Sequence, residues 1–248
     1  MPHSKLLIME KLAVVSGGGT GIGAAIATTL ATDGYAVLIV GRRPEPLAKV
    51  AASHPNITPV VADVADPARV TAVAEAVGER EVDVLVNNAG GFVMSTGDTL
   101  ADLATQWRGA YDTNVLTAVL LTEALLPRLR RPGGRVILFS SIAAQRGGGG
   151  PYSAAKAALH GWVFDLAAQL GPDGVTANVI SPGYIADTEF FGTRMTPEGH
   201  ASRVGQTLVG RAGRPDDIAA AVSWLAGESG GYVTGQIINV NGGSVLGR

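Results

Sequence analysis

Cysteine is absent from this 248-residue chain, which removes disulfides, thiolate nucleophiles and cysteine-ligated zinc from the chemistry open to it. The absence fits a reducing compartment, and the expectation is a cytoplasmic protein. A surplus of charge is also missing: 19 Lys and Arg stand against 21 Asp and Glu, for a net charge of −2. No basic stripe stands out to neutralise a phosphate backbone, so nucleic acid is not an expected partner. The four histidines, His3, His54, His160 and His200, lack metal-ligand spacing, and no metal is expected. Residues 1–10 hold only a brief apolar patch broken by charge, too short for a signal core or a membrane span, and read as a loose leader.

What is present begins with a strand, a tight turn and a helix. Leu12 to Ser16 reads as a short buried strand, Gly17-Gly18-Gly19-Thr20-Gly21-Ile22-Gly23 as the turn, and Ala24 to Leu30 as helix-prone sequence. Glycines let a backbone approach a pyrophosphate, and a helix N-terminus offers unpaired amide donors to it. The glycines allow two frames, Gly17, Gly21 and Gly23 or Gly19, Gly21 and Ala24, and both place phosphate at the same turn. Six further apolar, Val- and Ile-rich segments follow, at 35–40, 57–62, 82–87, 135–140, 175–180 and 236–240. Helical stretches starting near Pro44, Asp66, Thr99, Tyr111, Pro151 and Pro215 alternate with them. No linker or repeat divides the chain, so residues 1–248 are expected to form one α/β domain, a doubly wound parallel sheet with helices on both faces.

Tyr152 and Lys156 are four apart in an alanine-rich stretch that predicts a helix from Tyr152 to about Leu170, which places them on one face. An ammonium beside a phenol favours phenolate, so the expectation is a tyrosine pKa drawn down from about 10, suited to proton exchange with a substrate oxygen. Ser141 lies eleven residues earlier. It lacks the frame of a nucleophile elbow, and His160 has no matching motif, so a hydrolase triad is not expected.

These motifs resemble those of the short-chain dehydrogenase/reductase family. Gly17-x-x-x-Gly21-Ile22-Gly23, Asp63-Val64, Asn87-Asn88-Ala89-Gly90, Ser141 with Tyr152-x-x-x-Lys156, and Pro182-Gly183 fall in the family's order, and the match runs from about Leu12 to Gly243. The resemblance implies a Rossmann-type sheet of seven strands in the order 3-2-1-4-5-6-7. It makes Tyr152 the general acid in reduction or base in oxidation, and has Lys156 depress its pKa and bind the nicotinamide ribose. Ser141 polarises the substrate oxygen, and Asn114 holds a water in a proton relay. Ser141 is preferred to the adjacent Ser140 because the second serine of Ser140-Ser141-Ile142-Ala143 matches the family position, with the glycine-rich loop 147–150 absorbing a difference in spacing.

The resemblance also implies the cofactor contacts. Gly17, Gly19, Gly21, Ile22 and Gly23 cradle phosphate, and Asp63 and Val64 bracket the adenine. Asn87, Ala89 and Gly90 line the adenosine and ribose side, while Asn88 supports the central strand. Pro182, Gly183, Ile185 and Thr188 pass over the nicotinamide. NAD-preferring relatives carry an acidic residue about 20 positions past the glycine turn. Here that place reads Val40-Gly41-Arg42-Arg43, where guanidinium groups suit a 2′-phosphate, so NADP(H) is favoured over NAD(H).

The substrate pocket is expected from residues 91–94 and a long loop at about 184–208, in which Phe190, Phe191 and Met195 form an apolar wall with Arg194 or Arg203 at its mouth. The apolar run from Asn114 to Leu129 exceeds what a one-sided helix needs. With the helix at Tyr152 it implies, through the resemblance, a homotetramer or homodimer; the segment from Tyr232 to Gly243 resembles a second subunit contact. The expected activity is hydride transfer between NADP(H) and a ketone, aldehyde or alcohol. Alternatives are an imine or other polar-bond reductase or isomerase on the same scaffold, and a dinucleotide-binding regulator without turnover.

Overall fold

A computed structural model describes residues 11–95, 97–192 and 195–247. The expected leader, with His3, and Arg194 lie outside the described residues. Seven strands form one parallel sheet: β1 (Leu12–Ser16), β2 (Ala36–Gly41), β3 (Ile57–Val61), β4 (Val84–Asn87), β5 (Arg135–Phe139), β6 (Thr176–Pro182) and β7 (Ile237–Val240). Their order is β3-β2-β1-β4-β5-β6-β7, as the family resemblance implied. Register is continuous across the centre, with Val15 opposite Ile39 on one side and Val86 on the other.

Alternation along these strands divides the core in two. Leu12, Val14, Leu38, Leu85, Val136 and Leu138 face one layer, and Ala13, Val15, Ile39, Val86, Ile137 and Phe139 the other. The first layer is covered by α3 (Pro67–Val77), α5 (Thr117–Leu125) and α7 (Pro151–Leu170), through Val70, Val73, Leu121, Leu125, Leu159 and Val163. The second is covered by α1 (Gly21–Thr32), α2 (Pro44–Ala51) and α9 (Pro215–Ala226), through Ile26, Leu30, Leu47, Ile218 and Val222. Each fully buried Leu or Ile of these layers contributes about 1.5–3 kcal/mol of transfer free energy.

The helix starts follow the capping chemistry. Asp66 accepts from Ala68 N ahead of α3, and Thr99 with Asp102 forms a capping box at α4 (Leu100–Tyr111). Two helices were not anticipated: the one-turn α6 (Ala143–Arg146) and α8 (Pro197–Val204), which lies inside the expected long loop. The helix expected from Tyr111 is also not uniform, since Asp112–Leu116 make a π-helical turn between α4 and α5. Within it Asn114 Nδ2 donates to the Ala110 carbonyl at 2.9 Å, a side chain set against the backbone ladder as at other helix irregularities.

Candidate active site

Every segment leaving the carboxyl ends of β1 to β6 contributes to one cleft: Gly17, Arg42, Asp63, Asn88, Ser140 and Gly183 all line it. This is where a doubly wound sheet opens between neighbouring strands that run to opposite sides, here β1 and β4. The cavity measures about 1010 Å³, at the upper end of ordinary ligand sites.

At its floor the glycine turn is built for close approach. Gly17 and Gly21 have φ of +66° and +53°, which side chains rarely tolerate. A Cβ on Gly23 would collide with the Gly17 carbonyl, and one on Gly17 would meet Asn88 Nδ2 at 2.8 Å. Thr20 makes no side-chain cap to α1, and the first turn carries no acidic residue. The leading amides and the positive end of the helix therefore face the cleft without an internal anion, which fits a pyrophosphate. Ser16 secures the turn to the next strand, its Oγ accepting from Asn88 N at 3.0 Å and Ala89 N at 3.1 Å.

Most of the expected cofactor residues reach the cleft: Gly17, Gly19, Gly21, Ile22, Gly23, Arg42, Arg43, Asp63, Val64, Ala89, Gly90, Pro182, Gly183, Ile185 and Thr188 all border it. Asn87 does not. It is buried, with Nδ2 donating to Thr122 Oγ1 at 2.8 Å, because it falls on the strand face that packs against α5. The neighbouring Asn88 turns the other way and donates to the Ser16 and Gly17 carbonyls. The arginine end also differs from expectation. No carboxylate stands in the turn Gly41-Arg42-Arg43 that ends β2, but Glu189 arrives from the loop after β6 and meets Arg43 at 2.7 Å, both side chains being well exposed. Arg42 makes no ion pair among the described residues.

Tyr152 and Lys156 stand on the first two turns of α7, both buried and both lining the cavity. Lys156 Nζ donates to the Phe139 carbonyl at 2.8 Å, and Ser140 Oγ donates to the Lys156 carbonyl at 2.8 Å. The two serines thus divide their work. Ser140 braces the helix, whereas Ser141 lies within hydrogen-bond reach of the Tyr152 phenol and accepts from Ala143 N at 3.1 Å. Sequence reasoning missed the bracing role of Ser140, for which only the paired serines gave a signal.

Electrostatics run against the expected pull of lysine on tyrosine. Burial pushes the Tyr152 phenol up to about 12, the Ser141 hydrogen bond opposing it more weakly. Burial likewise lowers Lys156 to about 8. The lysine Nζ is 5.9 Å from the centre of the tyrosine ring, and desolvation outweighs its attraction for phenolate in the protein alone. At neutral pH the site accordingly holds a neutral phenol beside a mostly charged amine.

Asn114 is wholly buried, with Oδ1 accepting from Gly91 N at 3.0 Å and Nδ2 donating to the Gly91 carbonyl at 2.9 Å. It fastens the segment after β4 to the π turn. Gly90 fits between Asn114 and Lys156: a Cβ there would lie 2.7 Å from Asn114 Oδ1 and 2.8 Å from Lys156 Nζ. Over this polar floor stands an aromatic wall. Phe92 packs against Tyr152 with centroids 4.5 Å apart, and Phe190 and Phe191 adjoin it from the loop after β6. Arg203 lies over Phe191 at 5.0 Å, in the wall rather than free at the mouth. Met195, expected in this wall, does not line the cavity. Thr188 crosses the cleft to the glycine turn, where a Cβ on Gly21 would meet its Cγ2 at 3.3 Å.

The family model described as enoyl-(acyl carrier protein) reductase matches residues 17–244. The chain is 38% identical to the short-chain reductase protein NovJ of Streptomyces niveus, over 94% of each chain. It is 35% identical to the 3-oxoacyl-(acyl-carrier-protein) reductase FabG of Escherichia coli, covering 95% of this chain and 98% of the relative. Among solved structures, a short-chain dehydrogenase of Burkholderia cenocepacia in complex with NADP superposes with a TM-score of 0.84 at 34% identity, over 94% of this chain and 97% of that one. A fold with this strand order, a glycine turn at its switch point and matches spanning nearly all of its length place the chain in the short-chain dehydrogenase/reductase family of oxidoreductases.

Proposed function

We propose that this protein is an NADP(H)-dependent carbonyl reductase in which Tyr152 delivers the proton to the substrate oxygen. The observation that carries the reading is the convergence of Ser141, Tyr152 and Lys156 on the same cavity as the glycine turn and Arg42. Bound NADPH supplies hydride to the carbonyl carbon. Ser141 and Tyr152 hold the carbonyl oxygen, the serine hydroxyl donating to the charge that develops there while the phenol gives up its proton. A phenol kept neutral by burial carries, at neutral pH, the proton that reduction consumes. Lys156, charged below about pH 8, stabilises the phenolate left behind and would bind the nicotinamide ribose. Asn114 and Gly90 set the position of the lysine head, and a water held at Asn114 would return a proton through it.

At the other end of the cleft, Gly17, Gly21 and Gly23 with the start of α1 would take the pyrophosphate, and Asp63 and Val64 the adenine. Arg42 would hold the 2′-phosphate, together with Arg43 once it leaves Glu189. The NADP bound by the Burkholderia relative and the reductase names of the curated relatives support this reading.

An oligomer belongs to the same proposal, but on another helix than the expected run 114–129, which turns Val115, Leu121, Leu125 and Leu129 into the core. Leu100, Leu103, Trp107 and Tyr111 form an exposed apolar stripe along α4, and Phe164 extends it on α7. A second copy covering these helices would give a homodimer, and a homotetramer if the β7 end also pairs, where Tyr232 stands fully exposed.

The functional test is nicotinamide oxidation across a panel of ketones, aldehydes and imines with NADPH and NADH, run in reverse with alcohols. Turnover of carbonyls with NADPH preferred supports the reading. Turnover of imines alone transfers the assignment to the alternative substrate, and tight NADPH binding without turnover of any class makes the chain a dinucleotide-binding regulator.

A further inference from the structure

Aromatic residues make up only 5% of this chain, yet four of its five phenylalanines line the cavity of the proposed reaction centre, Phe139 from the core end of β5 and the other three above it. Phe92, Phe190 and Phe191 are half-buried and belong to neither core layer, so they are not filling the fold. Phe92 and Phe190 lie 4.8 Å apart, and both pack on Tyr152, at 4.5 and 5.7 Å between centroids. Behind them Phe191 meets Phe190 edge-on at 5.1 Å, and Arg203 and Tyr184 hold its outer side. Tyr184 is fixed in turn by a 2.8 Å hydrogen bond between its hydroxyl and His200 Nδ1. The wall is therefore assembled before any substrate arrives.

A strip without side chains, Gly147 to Gly149, borders the same cavity. A Cβ on Gly149 would come within 3.2 Å of the Tyr152 ring, while Gly147 and Gly148 look onto open space. A carbonyl whose oxygen bonds Tyr152 must place one substituent against Phe92 and Phe190, in a space bounded by ring faces and bare backbone. Flat groups gain twice there: they fit the space, and they stack on rings in offset or edge-on geometry, which a puckered or linear aliphatic group cannot do.

We propose that the substrate is an aryl ketone, or a ketone bearing a comparably flat unsaturated group next to the carbonyl. The assignment rests on the carbonyl-reductase reading above. Hydride from NADPH adds to the carbonyl carbon and the Tyr152 proton to its oxygen, so the aryl ketone is reduced to the aryl carbinol and NADPH is oxidised to NADP⁺.

The test compares kcat/KM for acetophenone and cyclohexyl methyl ketone, nearly equal in size, in the wild type and in Phe92→Leu, Phe190→Leu and Phe190→Tyr. Leucine keeps an apolar side chain and removes the ring, and tyrosine restores a ring. The aryl-to-cyclohexyl ratio is expected to fall about threefold to tenfold in each leucine variant and to return in Phe190→Tyr. Turnover of both ketones at a ratio that the leucine variants leave unchanged overturns the aryl assignment and leaves the carbonyl-reductase reading intact. Turnover of neither ketone by a wild type that reduces aliphatic aldehydes overturns it as well. A wild type that oxidises NADPH with no carbonyl compound at all fails the underlying reading instead, and takes the aryl assignment with it.

Discussion

Arg43 and Glu189, 146 residues apart in sequence, both border the cleft and meet in a 2.7 Å ion pair. One belongs to the turn after β2, at the proposed 2′-phosphate end, and the other directly precedes Phe190 and Phe191 of the aromatic wall. An arriving 2′-phosphate would compete with Glu189 for the same guanidinium. Arg42→Ala is expected to raise KM for NADPH by about tenfold or more and to leave NADH nearly unaffected, the loss of one charge-assisted contact. Glu189→Gln should move KM for NADPH the other way by less than about fivefold, because the pair it breaks is exposed. Steady-state kinetics with both cofactors read the two effects; equal losses for NADPH and NADH in Arg42→Ala would remove the 2′-phosphate assignment.

Replacing Tyr152 by Phe deletes the proposed proton donor while keeping the ring that packs on Phe92. Turnover should fall by about a hundredfold to ten-thousandfold, the usual contribution of a positioned acid. NADPH binding, followed by protein fluorescence, should stay within about twofold. A variant that keeps its turnover eliminates the phenol as the acid.

The buried lysine has a signature in stability. Lys156 is held near 8 in the folded cofactor-free protein against an ordinary value of 10.5, so the unfolded chain binds more protons between these limits and stability rises with pH there. The phenol works in the opposite sense. Tyr152, raised to about 12 from 10, contributes stability that is present below pH 10 and lost as pH climbs towards 12. From pH 8 to 10 the lysine therefore acts alone. Over that interval the wild type should gain about 2 kcal/mol relative to Lys156→Met. Urea midpoints of both proteins at three pH values measure it, and parallel pH profiles would contradict the assigned shift.

The stripe on α4 gives a direct assay of assembly. Trp107 and Phe164 are 47% and 52% exposed, which leaves large apolar area uncovered on adjoining helices. The wild type should scatter light as a dimer or tetramer at micromolar concentration, and Trp107→Glu with Phe164→Glu should yield monomer with an unchanged circular dichroism spectrum. A monomeric wild type refutes the proposed interface.

The strands, the glycine turn and the helix carrying Tyr152 and Lys156 were legible because each is announced locally: by unbroken Val and Ile runs, by glycines between a strand and a helix, and by alanines around the pair. What local sequence does not report is what distant segments bring. Phe92 meets Phe190 and Phe191 only because the ends of β4 and β6 open onto the same cleft. Asn114, in the π turn, binds Gly91, 23 residues away. Asn87 and Asn88 are indistinguishable as letters, and the pleat of β4 decides which of them turns to the core. The phenol acidity was misjudged for the same reason. Spacing places a lysine beside a tyrosine, but only the packed structure reveals how completely water is kept from both.

The brace at the start of α7 ties reactivity to architecture. With the Lys156 amine fastened to the Phe139 carbonyl and its own carbonyl fastened to Ser140, the helix turn that carries the proposed proton donor is tied twice to the end of β5. Ordinary packing defects beneath this strand should thus register first as slower catalysis, well before the molecule melts. Selection on rate alone would then guard residues that never touch a substrate.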